Sequence, residues 1–176
     1  MLKRWFTSKK TDSENLSGIE GRLKSRSVLI VDDSKTQLFA MEKMLRSVGI
    51  NTHTAENGKQ GILMARHVKP DLILMDIVMP ELNGFQATRH LTRQPDTCHI
   101  PIIIVSGSNQ QSDKAWGLKL GAKDYIAKPV NKNELITKID LWLNKFSLEN
   151  SQSEVAKPVE VTETVETKGV LMHAIQ

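Results

Sequence analysis

The sequence predicts an α/β fold in which helices cover both faces of a parallel sheet. Five short apolar runs alternate with five stretches of helical spacing over residues 27–146. Such alternation is typical of βαβ units joined by right-handed crossovers. The central run, residues 71–76, reads Asp-Leu-Ile-Leu-Met-Asp and is continuously apolar between its two carboxylates, which indicates a strand buried on both faces.

The composition limits the class of protein. The chain has 176 residues, enough for one good core, and its 39% hydrophobic and 25% charged residues are ordinary for a soluble globular protein. No apolar run approaches the roughly 18 residues of a membrane-spanning helix, and no apolar stretch of a secretory signal follows the first residues. Cys98 is the single cysteine. An internal disulfide is therefore excluded, and we expect a cytoplasmic protein.

Charge divides the chain into three regions. Residues 1–26 carry a net charge of +4 and predict a flexible basic arm, although apolar side chains near its start could form a short amphipathic face for a membrane or a partner. Residues 27–146, with net charge +3, predict the folded domain. Residues 147–176 carry −3 and predict a disordered acidic tail; the alternative is a strand added to a sheet edge.

The first two βα units follow from strand and capping signals. Residues 28–31, Val-Leu-Ile-Val, predict a buried strand. A serine with a glutamine three residues later opens the predicted helix 34–48, which a glycine ends. The partly polar run 50–54 predicts a strand near a sheet edge, and a second helix begins at Asn57 and ends before Pro70.

The remaining elements continue the same alternation. They are a strand at 71–75, a helix at 83–93, a strand at 100–105, a helix at 112–120, a strand at 124–127 and a helix that begins at Asn131. For five parallel strands with helices on both faces, the flavodoxin-like order 2-1-3-4-5 is the best fit. We therefore predict a doubly wound (βα)5 sheet in that order.

Polar side chains end four of the predicted strands. Asp32 and Asp33 follow the first strand, Asp76 the third, Ser106 the fourth and Lys128 the fifth. In the order 2-1-3-4-5 these strands are neighbours, and ligands of open parallel sheets bind at the carboxyl ends of strands. The sequence therefore predicts that the five side chains converge on one crevice.

The chemistry of this crevice follows from its charges. Three crowded carboxylates must share a cation or take up a proton, and oxygen ligands suit Mg²⁺. Lys128 and Ser106 add an ammonium and a hydroxyl group that can contact an anion. The set predicts a site that holds a phosphoryl group on Asp76 as an aspartyl phosphate. Taken singly, each residue also has a structural interpretation, such as a helix cap, a turn cap or a solvated lysine.

Four motifs at separate strand ends identify a family. They are Val-Asp-Asp-Ser at 31–34, Leu-Met-Asp-Ile-Val-Met-Pro at 74–80 with a glycine at 84, Ile-Val-Ser-Gly at 104–107 and Asp-Tyr-Ile-Ala-Lys-Pro-Val at 124–130. With these motifs, residues 26–146 resemble the receiver domain of bacterial two-component response regulators.

The resemblance implies a role for each residue of the crevice. Asp76 would accept a phosphoryl group from a histidine kinase, and Ser106 and Lys128 would contact the phosphoryl oxygens. The implied ligands of Mg²⁺ are Asp32, Asp33, Asp76 and the backbone carbonyl of Val78.

The resemblance also implies a conformational switch. Ser106 would move toward the phosphate and Tyr125 would turn inward, which changes the face formed by the fourth helix, fifth strand and fifth helix, where a downstream protein would bind. Tyr125 as plain core remains an alternative, and Trp116 belongs either to the core or to that face. The Lys128–Pro129 peptide bond is usually cis in the family.

A closer resemblance points to a cellular process. Residues 83–89 and 113–117 are similar to stand-alone receivers of the chemosensory systems that control type IV pilus twitching motility. No DNA-binding motif follows the domain, so we expect output by protein contact. We also expect that the protein is not an enzyme. A receiver scaffold that no longer switches, or a phosphate sink for a shared kinase, is the alternative.

Two further classes share parts of this pattern. Hydrolases with an aspartyl nucleophile commonly carry a second carboxylate two residues later, where this chain has Val78. A flavin protein of the same fold is disfavoured because acidic residues stand where a flavin phosphate would lie. The apolar Val78 also lacks a polar group to position an attacking water, which predicts that dephosphorylation is not fast.

Overall fold

The computed structural model describes residues 18–107 and 111–154, the last nine of them as helical backbone. The strands are β1 (Ser27–Val31), β2 (Asn51–Ala55), β3 (Leu72–Asp76), β4 (Ile102–Ser106) and β5 (Asp124–Ala127). The helices that follow them are α1 (Lys35–Arg46), α2 (Gly58–Val68), α3 (Gly84–Leu91), α4 (Gln111–Lys119) and α5 (Lys132–Glu154).

All strand pairs are parallel, and the sheet order is β2-β1-β3-β4-β5. This confirms the predicted flavodoxin-like fold. The register aligns Asp76 with Val105 and Ser106 with Ala127. The carboxyl ends of β3, β4 and β5 therefore lie at the same edge of the sheet, as the predicted crevice requires.

Alternate residues of the central strands pack into two separate cores. On β1, Val28 and Ile30 pack with residues of α1 and α5, while Leu29 and Val31 pack with residues of α2 and α3. Every residue of β3 and β4 is buried. Burial on both faces explains why these strands read as continuous apolar runs rather than as alternating ones.

The predicted helix starts agree with the observed caps. Ser34, Asn57 and Asn83 each accept a hydrogen bond from the backbone N–H three residues later, and α3 has a complete capping box. The helix predicted to reach residue 93 ends at Leu91, and the hydroxyl of the next residue, Thr92, donates a hydrogen bond to the carbonyl of Leu120 at 2.9 Å.

The prediction of a flexible arm over residues 1–26 is wrong for residues 18–26. Residues 18–23 are helical, and Ile19 and Leu23 are only 6% and 1% exposed within the core beside α1 and α5. The Arg22 guanidinium donates two hydrogen bonds to the Asp140 carboxylate on α5, at 3.0 and 2.6 Å. Residues 1–17 of the predicted arm lie outside the described residues.

The folded part also extends beyond its predicted end. Helix α5 runs to Glu154, eight residues past the predicted boundary at residue 146. The rest of the predicted tail, residues 155–176, lies outside the described residues. Across the described part of the chain, we find no helix with the length and apolar character needed to span a membrane.

Candidate functional site

The four predicted strand ends meet in one crevice. Asp32 directly follows β1, Asp76 and Ser106 are the last residues of β3 and β4, and Lys128 directly follows β5. One carboxylate oxygen each of Asp32, Asp33 and Asp76 lies within 4.8 Å of the others. Asp32 and Asp76 are buried, whereas Asp33 is exposed. The structure therefore brings the predicted carboxylates together.

Lys128 bridges two of the carboxylates. Its Nζ donates to Asp32 Oδ2 at 2.7 Å and to Asp76 Oδ1 at 2.8 Å. These bonds join residues that lie 96 and 52 positions apart in the sequence, and the lysine side chain is mostly buried. The interpretation of Lys128 as a solvated lysine is wrong. The Lys128–Pro129 peptide bond is cis, as the family resemblance implied.

Burial controls the ionisation of the central carboxylate. Burial raises the pKa of Asp76 above its ordinary value, because the hydrogen bond from Lys128 compensates only in part and the Asp32 charge adds to the effect. Burial also lowers the pKa of Lys128, but its hydrogen bonds to Asp32 and Asp76 outweigh this and raise it overall. The lysine stays charged, yet one ammonium shared between two carboxylates cannot neutralise three.

The remaining negative charge fits a hard divalent cation. The donor set consists of three carboxylates, and oxygen donors of this kind are what Mg²⁺ prefers. Asp33, the exposed member, lies on the solvent side where a hydrated ion can enter. Val78 follows Asp76 by two residues and is 73% exposed. The role of the Val78 carbonyl stays a prediction from the resemblance.

Asp32 has a second, structural contact. Its Oδ1 accepts a hydrogen bond from the backbone N–H of Ser34 at 2.9 Å, and Ser34 is the N-cap of α1. The capping and the ion-binding interpretations of Asp32 are therefore compatible. The contact fixes the carboxylate against the first turn of the helix, with its other oxygen bound to Lys128.

Gly84 supports the site in a way that the sequence analysis missed. Its N–H donates to the carbonyl of Ile77 at 3.0 Å, and a Cβ at this position would collide with the backbone carbonyl of Asp76. Helix α3 can therefore begin directly against the end of β3 only if its first residue is glycine. The signal available in the sequence was the Asn83–Gly84 pair, three and four positions after Pro80.

The predicted switch residues lie next to the crevice. Ser106 is completely buried, and Tyr125 is 9% exposed in a small cluster with Ile77, Ile104 and Ala122. Tyr125 is thus part of the core in this structure, and it also lines a groove between α4 and α5. Its movement on phosphorylation stays a prediction.

A groove of about 530 Å³ separates α4 from α5 beside β5. Its floor is formed by Tyr125 and Ala127, with Lys114 and Leu118 on one wall and Lys138 on the other. On α4, Trp116 is 49% exposed. Of the two alternatives for Trp116, the structure therefore favours the surface of this helix rather than the core.

Asp124 anchors α5 to β5, which the sequence did not reveal. Its carboxylate accepts hydrogen bonds from Lys138 Nζ at 2.7 Å and from Trp142 Nε1 at 3.1 Å. Burial by itself would raise the pKa of Asp124, but these bonds and the one from the Tyr125 N–H lower it below its ordinary value. The wall of the groove is thereby fixed to its floor.

Comparison with known proteins agrees with this geometry. The family model described as response regulator receiver domain matches residues 28–140. Protein PilH of Pseudomonas aeruginosa is 50% identical over 116 residues, which are 66% of this chain and 96% of PilH. Response regulator PleD of Caulobacter vibrioides is 32% identical over 124 residues, which are 70% of this chain but only 27% of PleD.

A solved structure shows the same fold. It is the receiver domain of a sensor histidine kinase from Pseudomonas aeruginosa, with a magnesium ion coordinated in its active site cleft. This chain matches it with a TM-score of 0.64 and 32% identity, over 68% of this chain and 98% of that domain. From the sheet order, the convergent strand ends and these matches, we conclude that the chain belongs to the response regulator receiver domain family of two-component signalling.

Proposed function

We propose that this receiver accepts a phosphoryl group on Asp76 from a histidine kinase and passes the signal on by protein contact. The observation that carries the proposal is the position of Asp76, whose carboxylate lies at the end of a fully buried strand, 2.8 Å from the Lys128 ammonium and beside two further carboxylates. A purely structural role would not require a third acidic group in such a place.

The chemistry is the transfer of one phosphoryl group. An oxygen of the ionised Asp76 carboxylate forms the new P–O bond while the P–N bond of the kinase phosphohistidine breaks, and the histidine nitrogen keeps the electron pair of that bond. Lys128 is placed to contact the phosphoryl oxygens, since its Nζ already bonds to the carboxylate that receives the group. Ser106, at the end of the neighbouring strand, supplies a hydroxyl on the other side.

We propose that Mg²⁺ binds in the same crevice. Asp32, Asp33 and Asp76 would hold it, with the Val78 carbonyl as a further ligand. When bound, the ion supplies positive charge that offsets the charge on the transferring oxygens. The clustered carboxylates support this assignment, and so does the magnesium ion in the similar receiver domain from Pseudomonas aeruginosa.

The signal would leave through α4, β5 and α5. Ser106 and Tyr125 lie on adjacent strands, and Tyr125 forms part of the floor of the groove between the two helices. A movement of Ser106 toward a phosphoryl group would change the packing around Tyr125 and so the shape of the groove. The groove would thus have two shapes, one before and one after phosphorylation. A partner that binds one shape better would then shift the population toward it.

We propose that the pathway is the control of type IV pilus twitching motility in the cytoplasm. The resemblance of residues 83–89 and 113–117 and the 50% identity to PilH over nearly its whole length support this assignment. The protein would act as a phosphoacceptor rather than as an enzyme with a turning-over substrate. Val78 in place of a second carboxylate supports that distinction from hydrolases with an aspartyl nucleophile.

A phosphate-affinity gel tests the proposal. The full chain is incubated with a small phosphodonor and Mg²⁺, beside Asp76→Asn and a matched control, Asp96→Asn, which alters an exposed aspartate outside the crevice. We expect a retarded band for the wild type and for the control, and a chelator should abolish it in both. Asp76→Asn should give only the unretarded band. A retarded band of equal intensity in Asp76→Asn would refute the assignment. Folded wild type without any band would favour the scaffold instead.

A further inference from the structure

Helices α2 and α3 present a basic surface, and neither helix contains a carboxylate. Residues 58–69 and 84–94 contain no aspartate or glutamate. They contain five exposed lysine and arginine residues, which we call the α2–α3 basic face: Lys59, Arg66, Lys69, Arg89 and Arg93. Their formal charge of +5 exceeds the net charge of +3 of residues 27–146 as a whole.

The basic face is one continuous surface. The two helices are neighbours in the layer on one side of the sheet, and Arg66 Nη2 lies 3.4 Å from His90 Nε2 across the gap between them. Lys59, Leu63 and Arg66 share one side of α2 because they are four and three positions apart. Leu63 is 59% exposed, so an apolar side chain lies among the charges.

These five charges have no acidic partner in the part of the chain that the structure describes. The ion pairs found there involve other lysines and arginines, among them Arg22, Arg46 and Lys138. Four of them lie in or just after the last turns of the two helices. Unpaired positive charges that lie close together repel one another, and an acidic segment that binds to them would remove that repulsion. The face therefore fits an acidic peptide.

The same chain contains such a segment. Residues 158–167 carry three glutamates, Glu160, Glu163 and Glu166, and no basic residue, with valines at 159, 161 and 165. The spacing of the glutamates distributes negative charge along the segment. The valines can contact Leu63, which lies between the charges of α2.

The chain geometry brings this segment within reach. In a parallel sheet with helical crossovers the helices run opposite to the strands, so the ends of α2, α3 and α5 all lie toward the amino edge of the sheet. Four of the five charges, all except Lys59, are in the last turns of α2 and α3 or just beyond. Glu163 lies nine positions after Glu154, a span of up to about 32 Å, whereas a 120-residue domain has a radius of gyration of about 14 Å.

We propose that residues 158–167 bind to the α2–α3 basic face of the same chain. Tethering raises the effective concentration of the segment to the order of millimolar, which favours it over a separate acidic protein. The groove between α4 and α5 is a poorer site for it, because Lys138 is already paired with Asp124 and a glutamate, Glu134, lines the same groove. A bound segment would cover the face, and an acidic partner would have to displace it.

The single cysteine allows a direct test on the full chain without any substitution. Cys98 is exposed, and its N–H bonds to the carbonyl of Gln94 in the turn directly after α3, beside the basic face. A nitroxide label at Cys98 broadens the NMR signals of amides that come close to it. We expect residues 158–167 to lose most of their signal intensity at low salt, relative to a diamagnetic label. The loss should disappear at about 1 M salt, where the Debye length is about 3 Å.

Matched variants identify the charges responsible. Glu160→Gln with Glu163→Gln and Glu166→Gln should restore the signals, and so should Arg66→Gln with Arg93→Gln. The control double variant Lys43→Gln with Lys132→Gln removes two exposed charges on α1 and α5, on the other face of the sheet, and should leave the broadening unchanged. Full signals at low salt in the wild type would overturn the proposal. Broadening that persists in the triple glutamine variant, or that the lysine control removes equally, would overturn it as well.

Discussion

At the level of single residues, the crevice depends on how one ammonium group is shared between two buried carboxylates. Lys128 donates hydrogen bonds to both Asp32 and Asp76, so the two carboxylates share one positive charge. The lysine is stabilised in its charged form, whereas ionised Asp76 is not fully compensated. Without a cation, the negative charge of ionised Asp76 is therefore destabilised by burial. Binding of an ion or a phosphoryl group in the crevice relieves this unfavourable free energy.

This imbalance predicts that Asp76→Asn stabilises the protein in metal-free buffer. Because burial holds the pKa of Asp76 above its usual value, its contribution to stability is complete below the unfolded pKa of about 3.9 and is lost as the pH rises through the folded pKa. Asparagine cannot ionise and keeps that contribution. We expect the free energy of unfolding at pH 7 to rise by about 0.5–2 kcal/mol.

Urea unfolding at pH 7 and at pH 5, in the presence of a chelator, measures this effect. The advantage of the variant should shrink at the lower pH. Adding Mg²⁺ at ten times its Kd should stabilise the wild type by about 1.4 kcal/mol and the variant much less. Equal stability of the two proteins at pH 7 without metal would contradict the account of Asp76.

At the level of elements, the site depends on where helices begin. The N-cap of α1, Ser34, donates its N–H to Asp32, and α3 starts with Gly84 against the carbonyl of Asp76. The loops after β1 and β3 are thus fixed at both ends. The carboxylates converge because of these close approaches as well as the sheet order.

Gly84→Ala tests the close approach at α3. The added Cβ would meet backbone rather than a mobile side-chain end, so the helix has to shift. We expect a loss of about 2–3 kcal/mol in the free energy of unfolding, with weaker phosphorylation of Asp76.

Gly21→Ala is the matched control for this substitution. Gly21 is helical, and a Cβ there would have no atom within 4 Å. Its replacement should leave the stability unchanged or raise it by up to about 1 kcal/mol. If both variants behave alike in urea unfolding, the packing of Gly84 on β3 is not what positions the site.

At the level of the whole molecule, the domain includes an amino-terminal segment that closes the core beside α5. Leu23 is buried together with Val48, Ile50 and Leu143, which come from distant parts of the chain. The Arg22–Asp140 pair joins residues 118 positions apart. The segment therefore belongs to the folded unit rather than to an independent arm.

Leu23→Ala should lower the free energy of unfolding by about 2–4 kcal/mol, because it leaves a cavity in a fully buried position. Glu20→Ala, an exposed change on the same helical turns, should shift it by less than about 0.5 kcal/mol. Thermal or urea unfolding of the two variants measures the difference. A near-neutral Leu23→Ala would show that the segment does not stabilise the domain.

Sequence reasoning succeeded where the fold itself arranges the residues. Parallel strands deliver their carboxyl-end residues to one edge, so Asp76, Ser106 and Lys128 could be placed together without knowing any side-chain contact. It failed for residues 18–26, where two apolar side chains are enough to anchor the segment in the core. Ile19 and Leu23 lie four positions apart in a polar, basic segment that is too short to show a helical period.

Contacts between distant elements could not be predicted from the sequence either. The bond from Trp142 to Asp124 depends on how α5 packs beside β5, and no spacing within either element encodes it. The extension of α5 to Glu154 was missed because residues 147–154 are almost entirely polar. Hydrophobic periodicity locates helices that pack on a core. It gives no signal for helical turns that extend beyond the core and are polar on all sides.

The assignment of Asp76 as the phosphoacceptor is tested most directly by locating the modification in the chain. The full protein is incubated with Mg²⁺ and a small phosphodonor and then reduced with borohydride, which converts an aspartyl phosphate to homoserine. Peptide mass spectrometry should find homoserine at position 76, absent after chelation and absent in Asp76→Asn. An unmodified Asp76, or homoserine at Asp32 or Asp33 instead, would contradict the account.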